Sequence, residues 1–128
     1  MPMKNSERFL QLSQEELSFL QNLLASGANR VAVSRAYYAA FYAVQALLAA
    51  IGKEPEKMKH REILRTFKEN YKAQSPDLFE TYQELSSERR KADREGIAKE
   101  KREIFKVLEK ANKFVDEIQK LVITQSTK

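Results

Sequence analysis

The chain contains no cysteine and no tryptophan, a single histidine, and only three glycines and three prolines. Without cysteine it has no disulfides, no thiolate nucleophile and no Cys-based metal site, which fits a reducing, cytoplasmic setting. With His60 as the single histidine, neither a conventional zinc site nor a Cys/His dyad can be assembled within one chain. Lys57 stands three residues before it, so the paired Glu-x-x-His motifs of di-iron bundles are absent too. Gly27, Gly52 and Gly96 are too dispersed for a dinucleotide fingerprint or a P-loop. No nucleophile-elbow sequence is present, and no metal or cofactor is expected. The longest uncharged apolar run, Ala36 to Ile51, falls short of the roughly 20 residues that span hydrocarbon and is interrupted by Gln45 and tyrosines. The opening MPMKNSERF has no apolar h-region and no small-residue cleavage site. Neither a membrane anchor nor secretion is therefore expected.

What the chain does have is a helix signal from Ser34 to Gly52, SRAYYAAFYAVQALLAAIG, apolar nearly all round. At about 100° per residue, Ser34, Arg35, Tyr38, Tyr42 and Gln45 share one arc of roughly 100°. Val33, Ala36, Ala40, Ala43, Val44, Leu47 and Ile51 lie opposite. Such a helix is central in its domain, and its alanines let neighbouring helices approach closely. The arginine and tyrosines must then face a pocket or a second subunit, because an unpaired buried guanidinium costs several kcal/mol.

The remaining punctuation predicts an all-α fold in one domain over residues 1–128, with its core between about 13 and 123. Ser13 and Glu16 form a capping-box pattern opening a helix from about 13 to 26, or one extended backward through Phe9 and Leu10, with Gly27 as its C-terminal cap. A second helix runs from Asn29 or Arg30 to Gly52. Pro55 suits the first turn of a third helix reaching about Lys72, and Ser75-Pro76-Asp77 starts a fourth. Ile104, Leu108, Ala111, Val115, Ile118 and Val122 alternate steps of four and three, the seam of a bundle helix from about Ala98 to Ile123. Short connections imply an antiparallel up-and-down bundle of four long helices plus a shorter or bent fifth.

Lys and Arg outnumber Asp and Glu by 23 to 18, a mild bias toward anionic partners. The bias concentrates between Arg89 and Arg102, where Arg89, Arg90, Lys91, Arg94, Lys99, Lys101 and Arg102 face Asp93, Glu95 and Glu100. That excess reads as a phosphate-facing surface, although i to i+4 ion pairing on a solvated helix explains part of it.

Three segments carry a family resemblance. SRAYYAAFYAVQALL (Ser34–Leu48) resembles the second-helix signature of the HEPN superfamily, in its small stand-alone prokaryotic branch. KHREILRTF (Lys59–Phe67) is similar to that branch's third-helix segment, with His60 at the usual histidine. ERRKADREG (Glu88–Gly96) resembles its pattern of arginine, a few variable residues and Asp-Tyr. The resemblance implies a helical bundle, commonly a homodimer, in a group that includes metal-independent RNases acting as toxins. Many members are paired with a minimal nucleotidyltransferase as antitoxin. The family's nuclease motif is an arginine followed by four to six residues and a histidine, yet here Arg94 stands where Arg89 would lead to that histidine.

That departure matters because cleavage through a 2′-hydroxyl needs a base near neutral pKa, with cations to stabilise the phosphorane. Arginine stays protonated, so Arg94 can hold phosphate but serves poorly as a base. His60 is the one side chain whose ordinary pKa suits that task. The candidate catalytic residues are thus Arg89 and His60, with Arg35, Tyr38, Tyr42, Arg90, Asp93 and Arg94 as candidate nucleotide- or phosphate-binding residues. Two functional classes stay open: a nucleotide- or partner-binding component of a nucleotidyltransferase/HEPN pair, or a metal-independent RNase toxin acting on RNA at a dimer cleft. On either reading, Arg89→Ala is expected to remove function with thermal stability nearly unchanged.

Overall fold

The computed structural model describes residues 4–95 and 101–126, without the side chains of Gln21, Leu24, Arg94, Glu95, Lys101, Arg102 and Ser126. The expected helix break at Gly96 and Ile97, and the basic side chains of Lys99, Lys101 and Arg102, therefore lie outside the described residues. The elements are α1 (Asn5–Ala25), α2 (Asn29–Ala50), a 3₁₀ turn (Pro55–Lys57), α3 (His60–Tyr71), α4 (Pro76–Glu95) and α5 (Lys101–Ser126). α3 is the short helix of the bundle, and no strand occurs among the described residues.

α2 is the hub, packed against all four other helices. Its sequence explains why. Ala32, Ala36, Ala39, Ala40, Ala43 and Ala46 are all fully buried, and with no side chain beyond Cβ they let partner helices close in from several directions. Val33, Val44, Leu47 and Leu48 fill the space between. The α5 seam is buried along its whole length, from Ile104 through Leu108, Ala111, Val115 and Ile118 to Val122. The glycine caps behave as their sequence suggests. Gly27 and Gly52 adopt φ of 81° and 88°, a left-handed conformation in which an added Cβ is strained. Each is followed by a 6→1 hydrogen bond, Ala28 N–H to Leu23 O and Lys53 N–H to Leu48 O, both 2.9 Å.

Two boundaries depart from expectation for physical reasons. α1 begins at Asn5, so Ser13 lies mid-helix and caps nothing. It is fully buried, and its Oγ donates to the carbonyl of Ala39 at 2.7 Å across the α1/α2 contact. A small residue was needed there for close approach, and its hydroxyl found the neighbouring backbone. Ser13→Ala is expected to lower stability by about 1 kcal/mol. Ser13→Leu should cost about 1–3 kcal/mol through overpacking, both measured by urea unfolding. The second departure is at Met58 and Lys59, whose extended backbone (ψ 147° and 160°) separates the Pro55 turn from α3. The third helix therefore starts at His60 and not at Pro55, and this break sets the histidine at the helix's exposed first turn.

The charged end of α4 is tied to the hub. Arg30, near the start of α2, donates from Nε to the Ala92 carbonyl at 3.0 Å and from Nη2 to the Asp93 carbonyl at 3.4 Å. A cation on carbonyls left over in the last turn of a helix also opposes the negative end of its dipole. The highly charged sequence after Ser86 thus stays helical through Glu95. No described helix is long and apolar enough to cross a membrane.

Candidate functional site

The most connected polar cluster joins α2, α3 and α4. Tyr82, on the buried side of α4, holds its hydroxyl 2.8 Å from that of Tyr37 on α2. The Tyr37 hydroxyl is also 2.7 Å from Nε2 of His60. Beside this chain, Arg89 donates from Nη2 to the Tyr38 hydroxyl at 3.0 Å. Its guanidinium carbon lies 4.8 Å from the Tyr37 ring centre and 4.9 Å from that of Tyr38. Those two rings meet edge to face at 79°, so the arginine occupies the corner between perpendicular aromatic walls. Asp93, one turn later on α4, completes the setting with an ion pair of 3.5 Å from Oδ2 to Nε. That contact is electrostatic only, and Nε makes no hydrogen bond among the described residues.

The local sequence explains the convergence. Tyr82, Arg89 and Asp93 stand at i, i+7 and i+11, one face of α4. Tyr37 and Tyr38 are adjacent on α2, so one ring points into the core at 1% exposure while the other flanks it at the surface. Phe41, one turn beyond Tyr37, packs on the His60 ring at 4.3 Å between centres.

Burial favours one direction for the hydroxyl chain. Tyr82 is 2% exposed and bonds to the Tyr37 oxygen, so a proton order in which Tyr82 donates to Tyr37 gives its buried hydroxyl hydrogen an acceptor. In that order Tyr37 donates to Nε2 of a neutral His60, whose own proton then sits on Nδ1. Burial raises the pKa of both phenols, so neither ionises near neutral pH. The pKa of His60 is lowered, first by burial and then by the nearby Arg89 charge. With that proton order the cluster holds two donor groups, the Arg89 guanidinium and the His60 Nδ1–H. Such a set suits an anion.

The shift on His60 has a checkable sign. A folded pKa below the ordinary 6.5 means that the unfolded chain binds the extra proton more readily. The His60 contribution to stability is therefore complete above pH 6.5 and is lost as pH falls through the lower folded value. Arg89→Gln removes one cause of the shift, so the His60 ring resonances are expected to titrate at higher pH in that variant, measured by NMR. Titration unmoved by the substitution would separate the two residues electrostatically.

Of the candidate residues, the structure brings together Arg89, His60, Tyr38 and Asp93. Asp93 meets the cluster through its ion pair with Arg89. Tyr42 is half-buried against the core one turn from Tyr38. Arg35 points elsewhere: its Nη1 pairs with Glu16 on α1 at 3.1 Å. Arg90 is rotated off the cluster onto a groove between α3 and α4. The Arg94 side chain lies outside the described residues. Two rings, a hydroxyl and a carboxylate hold Arg89 at 27% side-chain exposure, so its truncation is expected to cost stability as well as function. The sequence reading left out Tyr37 and Tyr82. The signal for Tyr82 was its hydroxyl in an apolar stripe, on the Arg89 face of the same helix.

Comparison with known proteins agrees with this architecture. A family model described as "HEPN domain" matches residues 6–121. A UPF0332 protein of Pyrococcus horikoshii is 41% identical over 61 residues, covering 48% of this chain and 42% of that protein. A Methanocaldococcus jannaschii protein named "Putative toxin" is 34% identical over 124 residues, covering 94% of this chain and 83% of that one. The helical hub, the tyrosine–arginine corner and a match extending from α1 into the last turns of α5 lead to one assignment: this chain belongs to the HEPN domain family.

Proposed function

We propose that this HEPN protein is the nucleotide- or partner-binding component of a toxin–antitoxin type pair with a minimal nucleotidyltransferase, acting in the cytoplasm as a homodimer. One observation carries the reading. A histidine bonded through Tyr37 to the buried Tyr82 hydroxyl shares one cluster with a guanidinium held against the Tyr37 ring. A donor pair of this kind holds a phosphate without needing to remove a proton. The name of the Methanocaldococcus jannaschii relative supports the toxin-type setting.

Binding of a fluorescent oligoribonucleotide and of ATP, followed by anisotropy and calorimetry over a salt series, tests the reading. Affinity is expected to fall with salt, and Arg89→Gln and His60→Gln should each weaken binding, Arg89→Gln by at least tenfold. Equal affinity in both variants and in the parent would remove the cluster from the binding site. Light scattering is expected to give twice the 14.9 kDa chain mass. The ribonuclease reading draws on the lowered pKa of His60, which burial and the Arg89 charge produce. It requires the opposite tautomer, with a lone pair on Nδ1, and predicts cleavage of the same oligoribonucleotide in the presence of chelator. Binding without cleavage favours the adaptor role.

A further inference from the structure

Arg89 and Arg90 are neighbours in sequence but serve opposite flanks of α4. Arg90 borders a groove of ≈ 410 Å³ between α3 and α4 whose rim carries Arg65 and Lys68 on one bank and Arg90 on the other. Leu64, Phe79 and Tyr82 make its floor, and no carboxylate among the described residues lines it. Glu69 competes for Arg65 from 4.0 Å, in a pair whose members are each 66% exposed. A wet pair at that distance leaves the arginine available. The volume lies within the range of about 300–1,000 Å³ typical of small-molecule sites. Phe79 and Tyr82 are 9% and 2% exposed, so the floor offers a small apolar area, far less than a protein partner needs.

We propose that this groove is a second binding site, for a small organic anion with an apolar body: one aromatic ring or short acyl chain bearing a phosphate or carboxylate. The body lies on Leu64, Phe79 and Tyr82 while Arg65, Lys68 and Arg90 hold the charge. The proposal is independent of the function assigned to the Arg89 cluster, since the two sites share no cation.

The test is titration of the ¹⁵N-labelled protein with phenyl phosphate and, separately, octanoate, following backbone amides by NMR. Saturable shifts centred on Leu64, Arg65, Lys68 and Arg90 are expected with at least one probe, and which probe binds tighter distinguishes an aryl from an acyl source. Inorganic phosphate and benzyl alcohol, each carrying half of the required chemistry, should bind at least tenfold more weakly. The exposed double variant Arg65→Gln/Arg90→Gln should lose binding at least tenfold with an unchanged melting curve, whereas Arg89→Gln should retain it. Should the double variant melt early, Lys68→Gln alone is expected to weaken binding severalfold. Shifts confined to residues around His60 and Arg89, no saturable shift with either probe, or inorganic phosphate matching phenyl phosphate would each overturn the site.

Discussion

Phe67→Ala is expected to lower the free energy of unfolding by about 3–5 kcal/mol, the range for truncating a fully buried aromatic. Phe67 has no exposed surface, and its ring centre lies 5.9 Å from both Tyr71 and Phe79, 5.8 Å from Tyr82 and 6.4 Å from Phe114. All four separations fall within the favourable range for aromatic pairs, so the loss exceeds that of transfer alone. A chain of this size should then melt roughly 10–20 °C earlier. The effect reaches the candidate site as well. Tyr82 is held between Phe67 and Phe114, and the position of its ring sets the 2.8 Å bond to Tyr37. Phe67→Leu keeps more volume and should lose less. Urea unfolding with an unchanged m-value checks both variants. A loss below about 1 kcal/mol for alanine would mean that the aromatic cluster closes over the cavity.

Arg89→Ala carries the second large effect, and it has two separable parts. The side chain leaves the corner between Tyr37 and Tyr38, gives up a hydrogen bond to the Tyr38 hydroxyl and releases Asp93. Summed, these contacts correspond to about 1–3 kcal/mol of stability. Anion binding should fall by at least tenfold, with a shallower salt dependence, because one phosphate contact is gone. Arg89→Lys separates the parts. It keeps the charge but not the planar fork that fills the corner, so it should hold the His60 titration low while recovering only part of the affinity. Full affinity in Arg89→Ala, together with the destabilisation, would make the residue a structural strut alone.

Several features of this molecule were legible from residue order. Gly27, Gly52 and Pro76 mark helix ends because a left-handed φ or a missing N–H is a local property that neighbours cannot change. The α5 seam was equally readable, since a repeat of four and three residues states which face is buried. Ser13 shows the opposite case. Its spacing to Glu16 satisfies a capping rule, yet a helix continuing through it uses the same hydroxyl on the carbonyl of another helix. Arg89 was marked as functional by resemblance and position. Nothing in its sequence neighbourhood indicated that Tyr37, 52 residues earlier, forms the wall it rests on.

By itself, the order of residues determined the helical class, the central role of the alanine-rich second helix, the bundle seam and the family, because these depend on short-range periodicity and on motifs contiguous in the chain. Tertiary structure decided which polar groups meet. It joined His60, Tyr37, Tyr82 and Arg89 from three helices, sent Arg35 to Glu16, and turned Arg90 toward a different groove. Helix rotation and crossing geometry govern those choices. They are set by the packing of the whole core, which no window of sequence contains.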